Sequence, residues 1–171
     1  MKNSAAFCFL LLLFSLSVQA KIGETREEII SRYGEVLKEE EKEEGFERLL
    51  TFSSGDYDIV VIILKGKTRE KEFMGRAEGI AFKRKDGAKI GEQEKDELME
   101  EYGQKDEWIR EPKPNGEVMF VLKKESANNN NDSLILISNT NQPDTVSIIT
   151  MSYYAAIIRA GFRMTLPSIG K

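Results

Sequence analysis

Ile59-Val60-Val61-Ile62-Ile63-Leu64 is an unbroken apolar run that limits the folds open to this chain more than any other stretch. Mostly β-branched and without polar alternation, it reads as the most central strand of a sheet. Ser53-Ser54-Gly55-Asp56 before it is a turn, and Phe46, Arg48, Leu50 and Phe52 alternate with Glu47 and Thr51 as a half-buried strand. Glu35 to Glu39 is a candidate first strand. Lys65-Gly66 reads as a two-residue turn, after which Lys67 to Met74 suits a charged edge or solvent-facing strand, continued by Ile80 to Lys85 before Asp86-Gly87.

A short repeat brackets this group. Lys21-Ile22-Gly23-Glu24 recurs as Lys89-Ile90-Gly91-Glu92, and each copy leads into a helical pattern: Ile29, Ile30 and Tyr33 in the first, Leu98, Met99 and Tyr102 in the second. The spacing i, i+1, i+4 puts three apolar side chains on one helix face. Thr25 and Glu28 form a capping box for the first helix. The second starts from Gly91, with Glu92 and Glu94 at the positive end of its dipole. Both patterns stop at a glycine, Gly34 and Gly103, where a left-handed residue is expected.

The second helix is followed by strands in turn. Glu107 to Glu111 carries Trp108; Pro112, Pro114, Asn115 and Gly116 make a turn; Val118 to Leu122 is buried. Asn128 to Asp132 is a solvated polar loop. Leu134 to Ile137 is a strand, Asn139 to Asp144 a loop closed by Pro143, and Thr145 to Thr150 the last strand. Ser152 caps a C-terminal helix that stops at Gly161. The expected fold class is therefore α+β: two tandem helix-plus-antiparallel-strand units, residues 21–88 and 89–171, sharing one core, with a C-terminal helix.

Residues 1–20, MKNSAAFCFLLLLFSLSVQA, have the layout of a secretory signal peptide, with Val18 and Ala20 placed for cleavage before Lys21. The residues before Cys8 lack the pattern that precedes a lipidated cysteine. Removal of Lys2 with the signal leaves 24 basic against 29 acidic residues, a net charge of −5. An acidic chain without a clustered positive surface argues against nucleic acid as a partner. Export to the periplasm or beyond, without a transmembrane span in the mature chain, is the expectation.

Ile22-Gly23-Glu24-Thr25-Arg26-Glu27-Glu28-Ile29, closing at Tyr33-Gly34, resembles the entry of small exported domains related to β-lactamase-inhibitor protein and to the SmpA/OmlA outer-membrane lipoproteins. The second copy has Gln93 where the motif has Thr, and no lipidation cysteine is present. The resemblance implies two such units in tandem and a small binding or structural module, with no catalytic residues to carry over.

The composition narrows chemistry as well. The sequence has no His, and its single Cys, Cys8, lies in the signal, so His-dependent nucleophilic catalysis, disulfides and His or thiolate zinc sites are excluded from the mature chain. A paired-carboxylate hydrolase of an extracellular polymer stays open, although no acid pair stands out. Asp56 and Asp58, or the loop Asn128 to Asp132, could in principle meet calcium, but neither has the ligand count of a dedicated loop. No catalytic, cofactor or metal residue is assigned. The acidic run Glu39 to Glu44 and the basic set Lys65, Lys67, Arg69, Lys71, Arg76, Lys83, Arg84 and Lys85 read as solvated, mutually neutralising faces, or else as a binder of membrane or cell-wall polymer. Trp108 reads as a core or half-buried strand residue. Asn131-Asp132-Ser133 matches the N-glycosylation sequon. The leading expectation is an exported, non-enzymatic binding or scaffolding module of the cell envelope, with a protein partner.

Overall fold

A computed structural model describes residues 21–42, 47–67, 72–112, 118–122, 132–139 and 141–159. The signal sequence, Gly45, Phe46, the turn at 113–117, Asn128 to Asn131 and Gly161 lie outside the described residues.

Helix α1 spans Arg26–Tyr33. The Thr25 hydroxyl accepts from the Glu28 amide at 3.3 Å, and the Glu28 carboxylate accepts from the Thr25 amide at 2.7 Å. This is the reciprocal box expected from Thr25 and Glu28. Gly34 ends the helix at φ 82°, its N–H donating to the Ile30 carbonyl at 2.8 Å. Thr25→Ala is expected to lower stability by about 1 kcal/mol, read as a fall in the urea midpoint at unchanged slope.

Helix α2 spans Glu92–Glu100, with the Gly91 amide donating to Glu94 Oε2 at 2.7 Å. Its stop differs from expectation, because Gly103 is not in the left-handed region. What disfavours a side chain there is crowding: a Cβ would lie 2.9 Å from Glu107 Oε2 and 3.0 Å from the Leu122 methyls, so those side chains would have to shift.

Eight strands follow one another as β1 Lys38–Lys42, β2 Glu47–Ser54, β3 Tyr57–Lys67, β4 Glu72–Arg84, β5 Trp108–Pro112, β6 Val118–Leu122, β7 Leu134–Asn139 and β8 Gln142–Thr150. A single 3₁₀ turn, Lys105–Glu107, precedes β5, and α3, Met151–Arg159, ends the described chain. The strands form one antiparallel sheet in the order β1-β2-β3-β4-β8-β7-β6-β5. Consecutive strands pair within each half, and the halves join where Gly79–Lys83 of β4 pairs with Ile149–Thr145 of β8.

This overturns the expected fold class of two helix-plus-antiparallel-strand units sharing one core. Among the described residues the molecule is sheet-dominated, with three helices laid on one continuous sheet and buried side chains on both of its faces. The physical reason is in β3, where Ile59, Val61 and Ile63 enter one apolar cluster while Val60, Ile62 and Leu64 enter another. A strand buried on both sides needs two covers. On the first face, α1 and α2 bring Ile29, Leu98 and Met99 against Leu50, Phe52, Phe82, Leu136 and Ile148. On the second, Met151, Tyr153, Tyr154 and Ile157 of α3 pack with Leu49, Phe73, Val121, Ile135 and Ile137.

Several boundaries move for related reasons. Lys65-Gly66 is no turn, since β3 continues to Lys67. Of the stretch read as a solvent-facing edge, Lys67 ends β3, residues 68–71 lie outside the described residues, and Glu72 onward belongs to β4, a central strand with Phe73, Ile80 and Phe82 buried. The edges of the sheet are β1, whose five residues are all exposed, and β5. Pro143 lies inside β8 rather than in a loop, and its carbonyl accepts from the Ile90 amide at 2.9 Å. The cap of α3 is Thr150, not Ser152: its hydroxyl accepts from the Tyr153 amide at 3.2 Å.

A polar knot ties α2 to the sheet. Tyr57 donates to Glu94 Oε1 at 2.5 Å, Arg84 donates to the same oxygen at 2.8 Å, and Arg84 also grips Asp86. The hydrogen bonds from Tyr57 and from the Gly91 amide, with Arg84 beside them, hold the Glu94 carboxyl below its ordinary range. A depressed carboxyl stabilises the fold above its ordinary titration range and loses that contribution as pH falls through the folded value. Burial, aided by Glu94, pushes the Tyr57 phenol up to about 12, so its contribution is complete below pH 10 and disappears between 10 and 12. In Glu94→Gln the acid dependence of stability should flatten. The Tyr57 titration, assigned with Tyr57→Phe by tyrosinate absorbance, should move part of the way back toward 10.

Candidate functional site

Strand β4 is irregular where it passes beyond β8. Its pairing with β3 shifts register twice, between Ile62 and Ile63 and between Leu64 and Lys65. The two β4 residues that no β3 residue stands opposite are Glu78 and Gly75. Each is one extra residue on β4, a β-bulge that bends the strand and re-aims its side chains. Gly75 sits at φ 73°, which glycine adopts without strain. The bulge at Glu78 breaks the two-residue alternation, so that Ala77 and Ile80 both face the first core. Glu78 lies between them at 6% exposure, and its Oε2 accepts from Thr150 Oγ1 at 2.8 Å.

Other parts of the chain converge on the bend. The segment before α1 runs antiparallel beside β4, with Gly23 N–H donating to the Ala77 carbonyl and Ala77 N–H to the Glu24 carbonyl, both at 2.8 Å. Arg76 adds a third bond, Nη1 to the Gly23 carbonyl at 2.8 Å. Asp132, ahead of β7, takes the Ser152 amide at 3.2 Å at the start of α3. Glu101 and Tyr102 follow the end of α2. Between these groups lies a cleft of about 540 Å³ walled by Lys21, Arg76, Glu72, Glu78, Glu101 and Asp132, with Met74 on its lip. Burial pushes the Glu101 carboxyl above its ordinary range, with Lys21 and Arg32 opposing the shift. Met74 is 72% exposed, and a smaller concavity of about 270 Å³, bearing Arg26, Arg48 and Lys65, opens on its other side. A further depression of about 590 Å³ runs over Glu100 to Glu107, but one contiguous stretch of chain makes it, so no separate elements converge there.

The residues weighed from sequence lie elsewhere for the most part. Asp56 is in the β2–β3 turn, its carbonyl accepting from the Lys85 amide, and Asp58 sits opposite Lys83. Among the described residues, no group of three or more Asp, Glu, His or Cys is placed to hold a metal ion. Glu39 pairs with Arg26 at 2.8 Å and with Arg48 at 3.4 Å, Glu41 with Arg48 at 3.4 Å, and Glu40 with Lys38 at 3.1 Å. The basic set is divided: Lys65 faces Met74 at one end of the β3–β4 hairpin, and Lys83 faces Asp58 at the other. Strand rise separates these ends by roughly 25 Å, and Arg69 and Lys71 lie outside the described residues. Trp108 is 7% exposed and donates from Nε1 to the Met99 carbonyl at 3.1 Å, a core position. Of the cleft's charged residues, the sequence offers only Asp132 and Arg76 as candidates for binding; Lys21 enters there as part of the repeat. The available signal was Gly75 and Gly79 inside a strand pattern on either side of Glu78, since isolated strand glycines mark bulges.

No family model matches the sequence, and no curated protein or solved structure matches it at a significant level. The resemblance to exported inhibitor-like and SmpA/OmlA-like domains is neither supported nor opposed by them. No helix among the described residues is long and apolar enough to cross a membrane.

Proposed function

We propose that the chain is exported, loses residues 1–20, and works as a non-enzymatic binding module that holds a protein partner of the cell envelope at the β4 cleft. The observation that carries this reading is the cleft itself. Two bulges spoil the regular pairing of β4 where the strand passes the end of β8, and separate elements of the chain bring charged side chains to the bend. An exposed methionine stands on the rim. Irregularity of this kind recurs where a strand terminates pairing beside a site, and a flexible thioether suits a surface that adapts to a partner.

The test uses a photo-crosslinking amino acid in place of Met74 in cells that express the protein. Exposed Ile109, on edge strand β5, serves as the control position. One protein species crosslinked from position 74 and not from 109, together with Lys21 as the first residue of the exported form, is the expected result. Equal crosslinking from both positions would sink the cleft as the binding site. Turnover of a wall or matrix polymer that depends on Glu78 would replace binding by hydrolysis.

A further inference from the structure

Removal of residues 1–20 changes the chemistry of one atom in the described chain, the Lys21 nitrogen. Hydrolysis of the Ala20–Lys21 bond by a signal peptidase adds water across it. The hydroxyl goes to the Ala20 carbonyl carbon and the hydrogen to the Lys21 nitrogen, which takes up a further proton at neutral pH because an α-amine titrates at about 8. A neutral amide donor thereby becomes an ammonium.

A carboxylate stands at hydrogen-bond distance from it. The Lys21 N–H donates to Glu24 Oε2 at 3.0 Å, and Arg32 clamps the same carboxylate, Nη2 donating to Oε1 and Nε to Oε2 at 3.3 Å. The Glu24 side chain is only 14% exposed, so salt and water screen a charge paired with it less than they screen a surface pair. The local turn is built for this approach: the Glu24 N–H donates back to the Lys21 carbonyl at 3.2 Å, and Gly23 at φ 93° makes the bend. Glu101 adds a second carboxylate nearby. Against the burial that raises its titration, Lys21 and Arg32 act to lower it.

The same few residues form a wall of the cleft. Lys21, Ile22 and Gly23 line it, Gly23 and Glu24 bond to Ala77, and Ile22 packs against the first-face core. We infer that the α-ammonium released at Lys21 is captured by Glu24, and that this ion pair, absent from the precursor, fastens the cleft wall to β4 in the exported form. The inference rests on the processing and binding reading given above. A charge-assisted hydrogen bond is roughly twice as strong as a neutral one. Only one cleavage position suits it, since an extra residue would carry the ammonium about 3.8 Å further along the chain.

The test compares three forms of the exported chain, residues 21–171: one with a free Lys21 amine, one acetylated there, and one with a glycine ahead of Lys21. Acetylation at about pH 6.5 selects the α-amine, whose pKa lies below that of lysine side chains, and it restores the amide N–H of the precursor without the charge. The Gly23 and Ala77 amides, which tie the wall to β4, should exchange on the order of threefold more slowly in the free form than in either of the others at low salt. In Glu24→Gln the free and acetylated forms should exchange alike, a comparison in which loss of the Arg32 pair cancels. Equal exchange in all three native-sequence forms overturns capture, and so does a difference between free and acetylated forms that persists in Glu24→Gln. Either result leaves the binding reading standing where position 74 still crosslinks one partner. Exported protein that begins at a residue other than Lys21 sinks the processing reading, and this inference with it.

Discussion

Phe82→Ala should lower stability by about 3–5 kcal/mol and the melting temperature by on the order of 10 °C. Phe82 is 1% exposed in the first-face core, and the Tyr57 ring meets it edge-on with centroids 6.3 Å apart at 84°. It lies on the central strand, opposite Ile59 on one side and Val146 on the other. The void left by alanine would therefore open at the join between the two halves, where neighbours tied into the sheet ladder collapse poorly. Phe82→Leu keeps most of the volume and should cost less than about 1.5 kcal/mol. Chemical denaturation of both variants checks the difference, and equal losses would show that the aromatic contact, not volume, dominates.

Gly79→Val comes next, at about 1–3 kcal/mol from overpacking. A Cβ at this position would meet Ile149 Cγ2 and Ile62 Cδ1, each at 3.0 Å, and both isoleucines are buried in the second-face core. The valine methyls would add to that crowding. Because Gly79 adjoins the bulge at Glu78, relief by backbone movement would displace the cleft wall. The variant is thus expected to lose both midpoint stability and crosslinking from position 74, with Gly79→Ala intermediate in each. An unchanged denaturation midpoint in Gly79→Val would show that the close approach of β4 to its neighbours imposes no constraint.

What the sequence revealed depended on how local the cause was. Thr25, Glu28 and Gly34 could be read correctly because a cap is settled within a few residues of chain. Val118 to Leu122 emerged with its observed bounds because turn residues precede it and its apolar run is short. Gly103 misled because a glycine near a helix end has two causes, positive φ and lack of space, and only the position of Leu122 decides between them. The pairing of β4 with β8 left no local trace, since residues like Ile80 and Ile148 look alike whichever strand adjoins them. The charged residues around Glu72 and at Lys83 to Lys85 then made a central strand resemble an edge. The cleft stayed hidden for the same reason, because a bulge is a property of register and its walls come from distant parts of the chain.

The order β1-β2-β3-β4-β8-β7-β6-β5 has a consequence for the making of the molecule. Within each half, strands can add hairpin by hairpin as they emerge, but the central join links Lys83 to Thr145 and Gly79 to Ile149, residues 62 and 70 positions apart. A chain delivered from its N-terminus holds β4 ready while the whole second half is still to come, and the last strand closes the middle rather than an edge. Long-range pairing of this kind slows folding and leaves bare strand surface exposed in the interval. The half-delivered chain is the vulnerable species, open to proteolysis and to mispairing with its own kind. Loss of even the final strand would split the sheet at its centre.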